Sequence, residues 1–206
     1  MLDLEKFESL GDNCELGFVQ RFSGVEAGGL LRWAIVPPEA LISAIRGNFE
    51  QVFEYENLTP SAPDMVRDEK YGLAFHTQMH SQNGIFHDTE EKRREIHAGE
   101  KQKIDYMAEK LRGLLRTGEK IFVYKRNVGV DAETALEIGR AISEKGPGKL
   151  LYVTTLGNQP IGTVRCVSEN LFEGRIDRFA DYAKADDVSQ QVWGQILKDA
   201  NTKMAV

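Results

Sequence analysis

The chain is poor in cysteine and histidine, carries no excess of positive charge, and has no long apolar run. Its two cysteines, Cys14 and Cys166, cannot build a disulfide framework, and neither lies in a Cys-x-x-C pair of the kind that holds structural zinc. The longest apolar runs, such as Ile121-Phe122-Val123-Tyr124 and Leu150-Leu151-Tyr152-Val153, fall far short of the roughly 20 residues that cross a bilayer. Met1 to Lys6 carries Asp3 and Glu5 and lacks the basic and apolar regions of a secretory leader, so the expected location is cytoplasmic. A net charge of −6 argues against a nucleic-acid partner, because neutralising phosphates needs a basic surface. The one basic cluster, Lys92-Arg93-Arg94, is offset by Glu90, Glu91 and Glu95 and reads as a solvated helix face. No repeat, low-complexity tract or linker breaks the chain, and residues 1–206 read as a single domain.

What is present is ordinary globular material, 41% apolar and 28% charged, enough for a sizeable core. Phe7 to Leu10 is β-prone, and Gly11-Asp12-Asn13 turns it into a helix over about Cys14 to Phe22, with Asp12 or Asn13 as candidate cap. Pro37-Pro38 opens a second helix carrying Leu41, Ile42, Ile45 and Phe49 on one face. Asn57 to Asp64, with two prolines, reads as loop, and Met65 to Met79 as a β-hairpin. A long charged helix is predicted over Thr89 to Arg116. The firmest pattern follows: strand Lys120–Lys125, amphipathic helix Asp131–Lys145, strand Lys149–Thr155, which together predict a right-handed βαβ unit with parallel strands. Short strands at Thr163–Val167 and Gly174–Arg178 and a helix over Ser189–Ala200 complete the pattern. The fold class is α/β: a three-layer domain with a mostly parallel central sheet plus antiparallel hairpins, the alternative being a papain-like α+β arrangement.

Cys14 is the chemically suggestive residue. A thiol at a helix start, just after a strand, sits where the helix dipole and free N–H groups favour a thiolate and can hold an oxyanion. Ligands of α/β sheets also bind beyond the carboxyl ends of strands. Asp12 and Asn13 of the same turn are candidate binding residues, or simply turn and cap. A cysteine nucleophile needs a base. His76, aimed by the strand Leu73–His76, is the first candidate, and His87, followed by Asp88, is the second and a candidate binding residue. Asp177 is the candidate third member that would orient the histidine, although the flanking Arg175 and Arg178 favour a structural ion pair. His76, His80 and His87 lie close in sequence, but in a loop and without cysteine, so no metal and no cofactor is expected. Cys166 lies within a strand and reads as packing.

Phe7-Glu8-Ser9-Leu10-Gly11-Asp12-Asn13-Cys14, continuing into a helix ending near Arg21, resembles the opening of a bacterial family of unknown function described as papain-like cysteine peptidases. Asn48-Phe49, Tyr71 to His76, Gly118 to Lys125 and Ile176-Asp177-Arg178-Phe179-Ala180 resemble it further, so the likeness covers nearly the whole chain. The resemblance implies a nucleophile at Cys14, a base at His76 and a link to surface polysaccharide assembly. Leu30-Leu31-Arg32-Trp33-Ala34 departs from the Pro-Phe-Asp-Trp of many members, and Thr77 replaces the aspartate that often follows the histidine. The Gly-Asp-Asn-Cys turn also resembles the Gly-Asp-Ser turn of GDSL-type hydrolases, but no histidine follows His97 to serve as their C-terminal base. Two readings follow. One is a cysteine-dependent hydrolase or acyltransferase acting on a small-molecule, peptide or glycan substrate. The other is a non-catalytic domain that binds a small molecule or protein, with Cys14 structural.

Overall fold

The computed structural model describes residues 3–204; Met1, Leu2, Ala205 and Val206, at the ends of the expected domain, lie outside the described residues. Along the chain, β1 (Phe7–Ser9) leads into α1 (Glu15–Phe22), β2 (Ala34–Ile35) and α2 (Pro38–Arg46). Three strands, β3 (Leu58–Ala62), β4 (Met65–Asp68) and β5 (Leu73–His76), and a small hairpin, β6 (Ser81–Gln82) and β7 (Ile85–Phe86), precede the long helix α3 (Glu90–Thr117). Then come β8 (Ile121–Lys125), α4 (Ala132–Ser143), β9 (Lys149–Thr154), β10 (Val164–Ser168), β11 (Leu171–Arg175) and α5 (Gln190–Lys203).

Local signals set most of these boundaries. The Thr89 hydroxyl accepts from the Lys92 N–H to start α3, and the Asp131 carboxylate accepts from the Thr134 N–H to start α4. α3 stops at Gly118, whose φ of 65° is left-handed and whose added Cβ would meet the Pro147 backbone at 2.9 Å.

The central sheet has the order β1-β8-β9-β11-β10; every neighbouring pair is parallel except β11–β10. β8 and β9 are parallel neighbours in register from Ile121↔Lys149 to Lys125↔Val153, as the βαβ pattern predicts. Phe7, Val123, Leu151 and Val153 point to one face and pack on Leu16 and Val19 of α1 and Trp193 and Ile196 of α5. Phe122, Tyr124, Leu150 and Tyr152 point to the other, against α4, α3 and α2. Alternating side chains of one sheet therefore fill two cores, and the result is a three-layer α/β arrangement. A second, antiparallel sheet, β2-β5-β4-β3, extends the α3 side. The papain-like alternative, a helical half against an antiparallel barrel, is not what the chain forms. Among the described residues no helix is long and apolar enough to cross a membrane.

Four details differ from expectation. Residues 58–62 form β3 despite Pro60, because β3 is the edge of its sheet and a missing donor there costs no ladder bond. β11 begins at Leu171, three residues ahead of the expected Gly174, since the β10 to β11 turn closes as soon as Ser168 pairs with Leu171. Leu136, which the apolar pattern of the helix predicted over Asp131–Lys145 puts in the core, is only partly buried at its edge. His97, expected to be exposed on the long charged helix, is half-buried, stacked on Phe53 with its Nε2 at 2.8 Å from the Phe53 carbonyl.

Candidate functional site

The carboxyl ends of the adjacent strands β1 and β8 are tied together by the turn that carries Cys14. The Asp12 N–H donates to the Lys125 carbonyl at 3.2 Å, and the Val36 N–H donates to the Asp12 carbonyl at 3.2 Å. Gly11 makes this close approach feasible. Its φ is +103°, and a Cβ on it would lie 2.5 Å from the Val36 Cβ. Gly11→Ala is therefore expected to cost at least about 1–2 kcal/mol for the left-handed backbone alone. Thermal denaturation should show a fall of roughly 2–4 °C per kcal/mol. An unchanged melting temperature would mean that the turn relaxes without cost.

Within the turn each residue has its own task. Cys14 occupies the N-cap position of α1, and its side chain makes no capping bond. Asn13 does the capping: its Oδ1 accepts from the Glu15 N–H at 2.9 Å, while its buried Nδ2 has no partner. Asp12 is buried and accepts from the Tyr182 hydroxyl at 2.5 Å and the Asn127 N–H at 3.5 Å. Of the two candidate caps, Asn13 is the one used.

Behind Cys14 lies a buried charged network. The Lys125 ammonium, 1% exposed, forms an ion pair with Glu15 Oε2 at 2.9 Å and donates to Asn127 Oδ1 at 2.6 Å. Glu15, fully buried, accepts at its other oxygen from Trp193 Nε1 at 2.9 Å. Phe179 and Tyr182, on the loop after β11, stand over the ammonium at 5.0 and 6.0 Å. Burial lowers the Lys125 pKa from its ordinary value, and Glu15, Asp12 and Cys14 oppose that shift.

The electrostatics of Cys14 correct the expectation of a depressed pKa. Its pKa is raised, because partial burial disfavours the thiolate by more than the neighbouring Lys125 charge favours it. The cationic neighbour is Lys125 and not His76. His76 ends β5 in the second sheet, half-exposed, with Nδ1 3.3 Å from Asp64 Oδ2. Asp177 is exposed and accepts from the Ser189 hydroxyl at 3.0 Å. His87 is exposed near the small β6–β7 hairpin. Among the described residues no hydrogen bond or ion pair joins His76, His87 or Asp177 to Cys14 or to one another. The structure thus assembles Asp12, Asn13 and Cys14 and leaves the three other candidates elsewhere. Cys166 is exposed on the edge strand β10, not packed. Among the described residues no group of three or more histidine, cysteine, aspartate or glutamate side chains is arranged to hold a metal ion.

Glu15, Lys125, Asn127, Tyr182 and Trp193 are the site residues that sequence reasoning passed over. One signal was available for Lys125: it ends an apolar strand whose parallel partner ends at the Cys14 turn. No family model, curated protein or solved structure matches the chain.

Proposed function

We propose that the chain is a cysteine-dependent hydrolase or acyltransferase with Cys14 as its nucleophile. One observation carries this reading: a half-buried thiol with no capping bond, at the first turn of α1 and beside the Lys125 ammonium. The raised pKa means that Cys14 rests as a thiol and attacks after losing its proton to solvent base. In the acyl-transfer step the sulfur–carbon bond forms and the leaving group departs with a proton, giving a thioester; water or an acceptor then releases the acyl group. The Leu16 and Gly17 N–H groups in the first turn of α1 are the donors available to the developing oxyanion, since Asn13 holds the Glu15 N–H. Lys125 offsets negative charge at the sulfur.

The test is alkylation of the folded protein by iodoacetamide across a pH series, with mass spectrometry assigning the label. Labelling of Cys14 should rise with pH and reach half-maximum above the value of about 8.5 typical of a free cysteine. Removing the ammonium in Glu15→Gln/Lys125→Met should move that midpoint higher still. Incubation with an activated ester such as p-nitrophenyl acetate should leave an acetyl mass on Cys14, and Cys14→Ala should lose it. A thiol that stays unlabelled until the protein unfolds would leave the second reading, a binding domain with Cys14 structural.

A further inference from the structure

A cavity of about 240 Å³ opens between α3 and the second sheet and shares no lining residue with the Cys14 turn. Its walls are apolar: Trp33, just ahead of β2, Phe75 near the end of β5, and Ile104 and Met107 on α3. The Trp33 wall is held in place. Its ring packs on Gly17, where an added Cβ would meet it at 3.0 Å, and edge-on against Phe18 with ring centres 5.2 Å apart. The buried Arg32 guanidinium donates to the Gly17, Val25 and Ala27 carbonyls and so ties the segment ahead of β2 to α1. The cavity is therefore formed in advance of any ligand, as small-molecule sites usually are. Two polar residues, His76 and Lys103, line the same cavity. Asp64 meets His76 at Nδ1, which leaves Nε2 for a ligand. Among the described residues the Lys103 ammonium takes part in no hydrogen bond or ion pair. The carboxylates nearest to it along α3 have other partners: Glu100 accepts from the Thr77 hydroxyl and the Gln78 N–H, and Asp105 pairs with Lys101.

From this arrangement we infer that the cavity binds a small aromatic carboxylate, its ring against Trp33 and Phe75 and its carboxylate on Lys103 and His76. An apolar cavity of about 150 Å³ takes up benzene, so this one has room for a substituted ring. Aromatic walls favour a ring through offset or edge-on packing. An ammonium without a counter-charge favours an anionic head over a neutral one. The site needs no chemistry at Cys14, and it gives His76 a role that does not require it to reach the thiol.

Phenylacetate and phenylacetamide are nearly equal in size, and only phenylacetate carries a charge. The chain has two tryptophans, Trp33 in the cavity wall and Trp193 fully buried elsewhere, so a proton–nitrogen correlation spectrum holds an internal reference. The Trp33→Phe variant assigns the two indole N–H signals. Titration with phenylacetate should move the Trp33 signal saturably and leave that of Trp193 in place. Phenylacetate should bind about tenfold more tightly than phenylacetamide, the low end of what a charge-assisted hydrogen bond gives. Lys103 is exposed on α3, so Lys103→Gln should keep the fold, bring the two affinities close together and still bind both weakly. A Trp33 signal that does not move at phenylacetate concentrations up to about 10 mM would overturn the site. Equal affinities for the two probes in the unaltered protein would overturn the anionic class, and a preference that survives Lys103→Gln would overturn the anchor. None of these outcomes depends on the reactivity of Cys14, so the two readings stand or fall separately.

Discussion

Lys125→Met is expected to destabilise the protein by about 3–5 kcal/mol, because it leaves the Glu15 carboxylate buried without its counter-charge. Glu15 has no exposure at all, and its remaining bond comes from the Trp193 indole. The double variant Glu15→Gln/Lys125→Met should recover most of that loss. A glutamine can still accept from Trp193, and no charge is then left in the layer between α1 and α5. Urea unfolding of the two single variants and the double variant closes the cycle. A Lys125→Met protein as stable as the double variant would mean that water or a rearranged side chain reaches Glu15, and that the network is less closed than its geometry indicates. The pair is thus expected to hold the Cys14 turn in register more than to stabilise the fold, since well-packed apolar replacements of buried pairs are often neutral or better.

A comparable loss, on the order of 3–5 kcal/mol, is expected for Leu151→Asp, which puts an unpaired carboxylate in the middle of the sheet. β9 is the central of five strands, and Leu151 has no exposure. Its register partners are Val123 and Phe172, so no cation lies opposite it. Val153 would be a weaker test, because its partner on β8 is Lys125, which could meet a new carboxylate. Leu151→Met, which keeps volume and polarity, should cost less than about 1.5 kcal/mol and serves as the control. Circular dichroism during urea titration reads both. An Asp variant with the Leu midpoint would refute the central position of this strand.

Much of the frame was legible in the residues themselves. Strands 121–125 and 149–154 stand out because short apolar runs are bounded by Gly118, Asp131 and the Gly146-Pro147-Gly148 stop, and the helix between them has one apolar face. The Gly-Asp-Asn turn located Cys14 at a helix start, where the structure has it. Pro60 misled, since a proline speaks against a central strand but not against an edge, and edge position is a property of the whole sheet.

The partners of Cys14 were not legible, and the reason is distance along the chain. Caps, turns and periodic faces act over a few residues, so Asn13, Thr89 and Asp131 announce themselves locally. Whether Lys125 ends a strand in water or under a roof depends on α5, whose Trp193 reaches Glu15 across 178 residues of sequence, and on Tyr182 arriving from the loop after β11. His76 shows the converse: it ends a strand and looks well aimed, yet that strand belongs to the second sheet, where Asp64 meets it. The sequence by itself determined the parallel βαβ frame and the thiol at a helix start, because these follow from local hydrogen bonding and side-chain period. Only the tertiary structure decided that the thiol's companion is a buried lysine and that its pKa is raised, because desolvation is set by whatever the rest of the chain lays over the site.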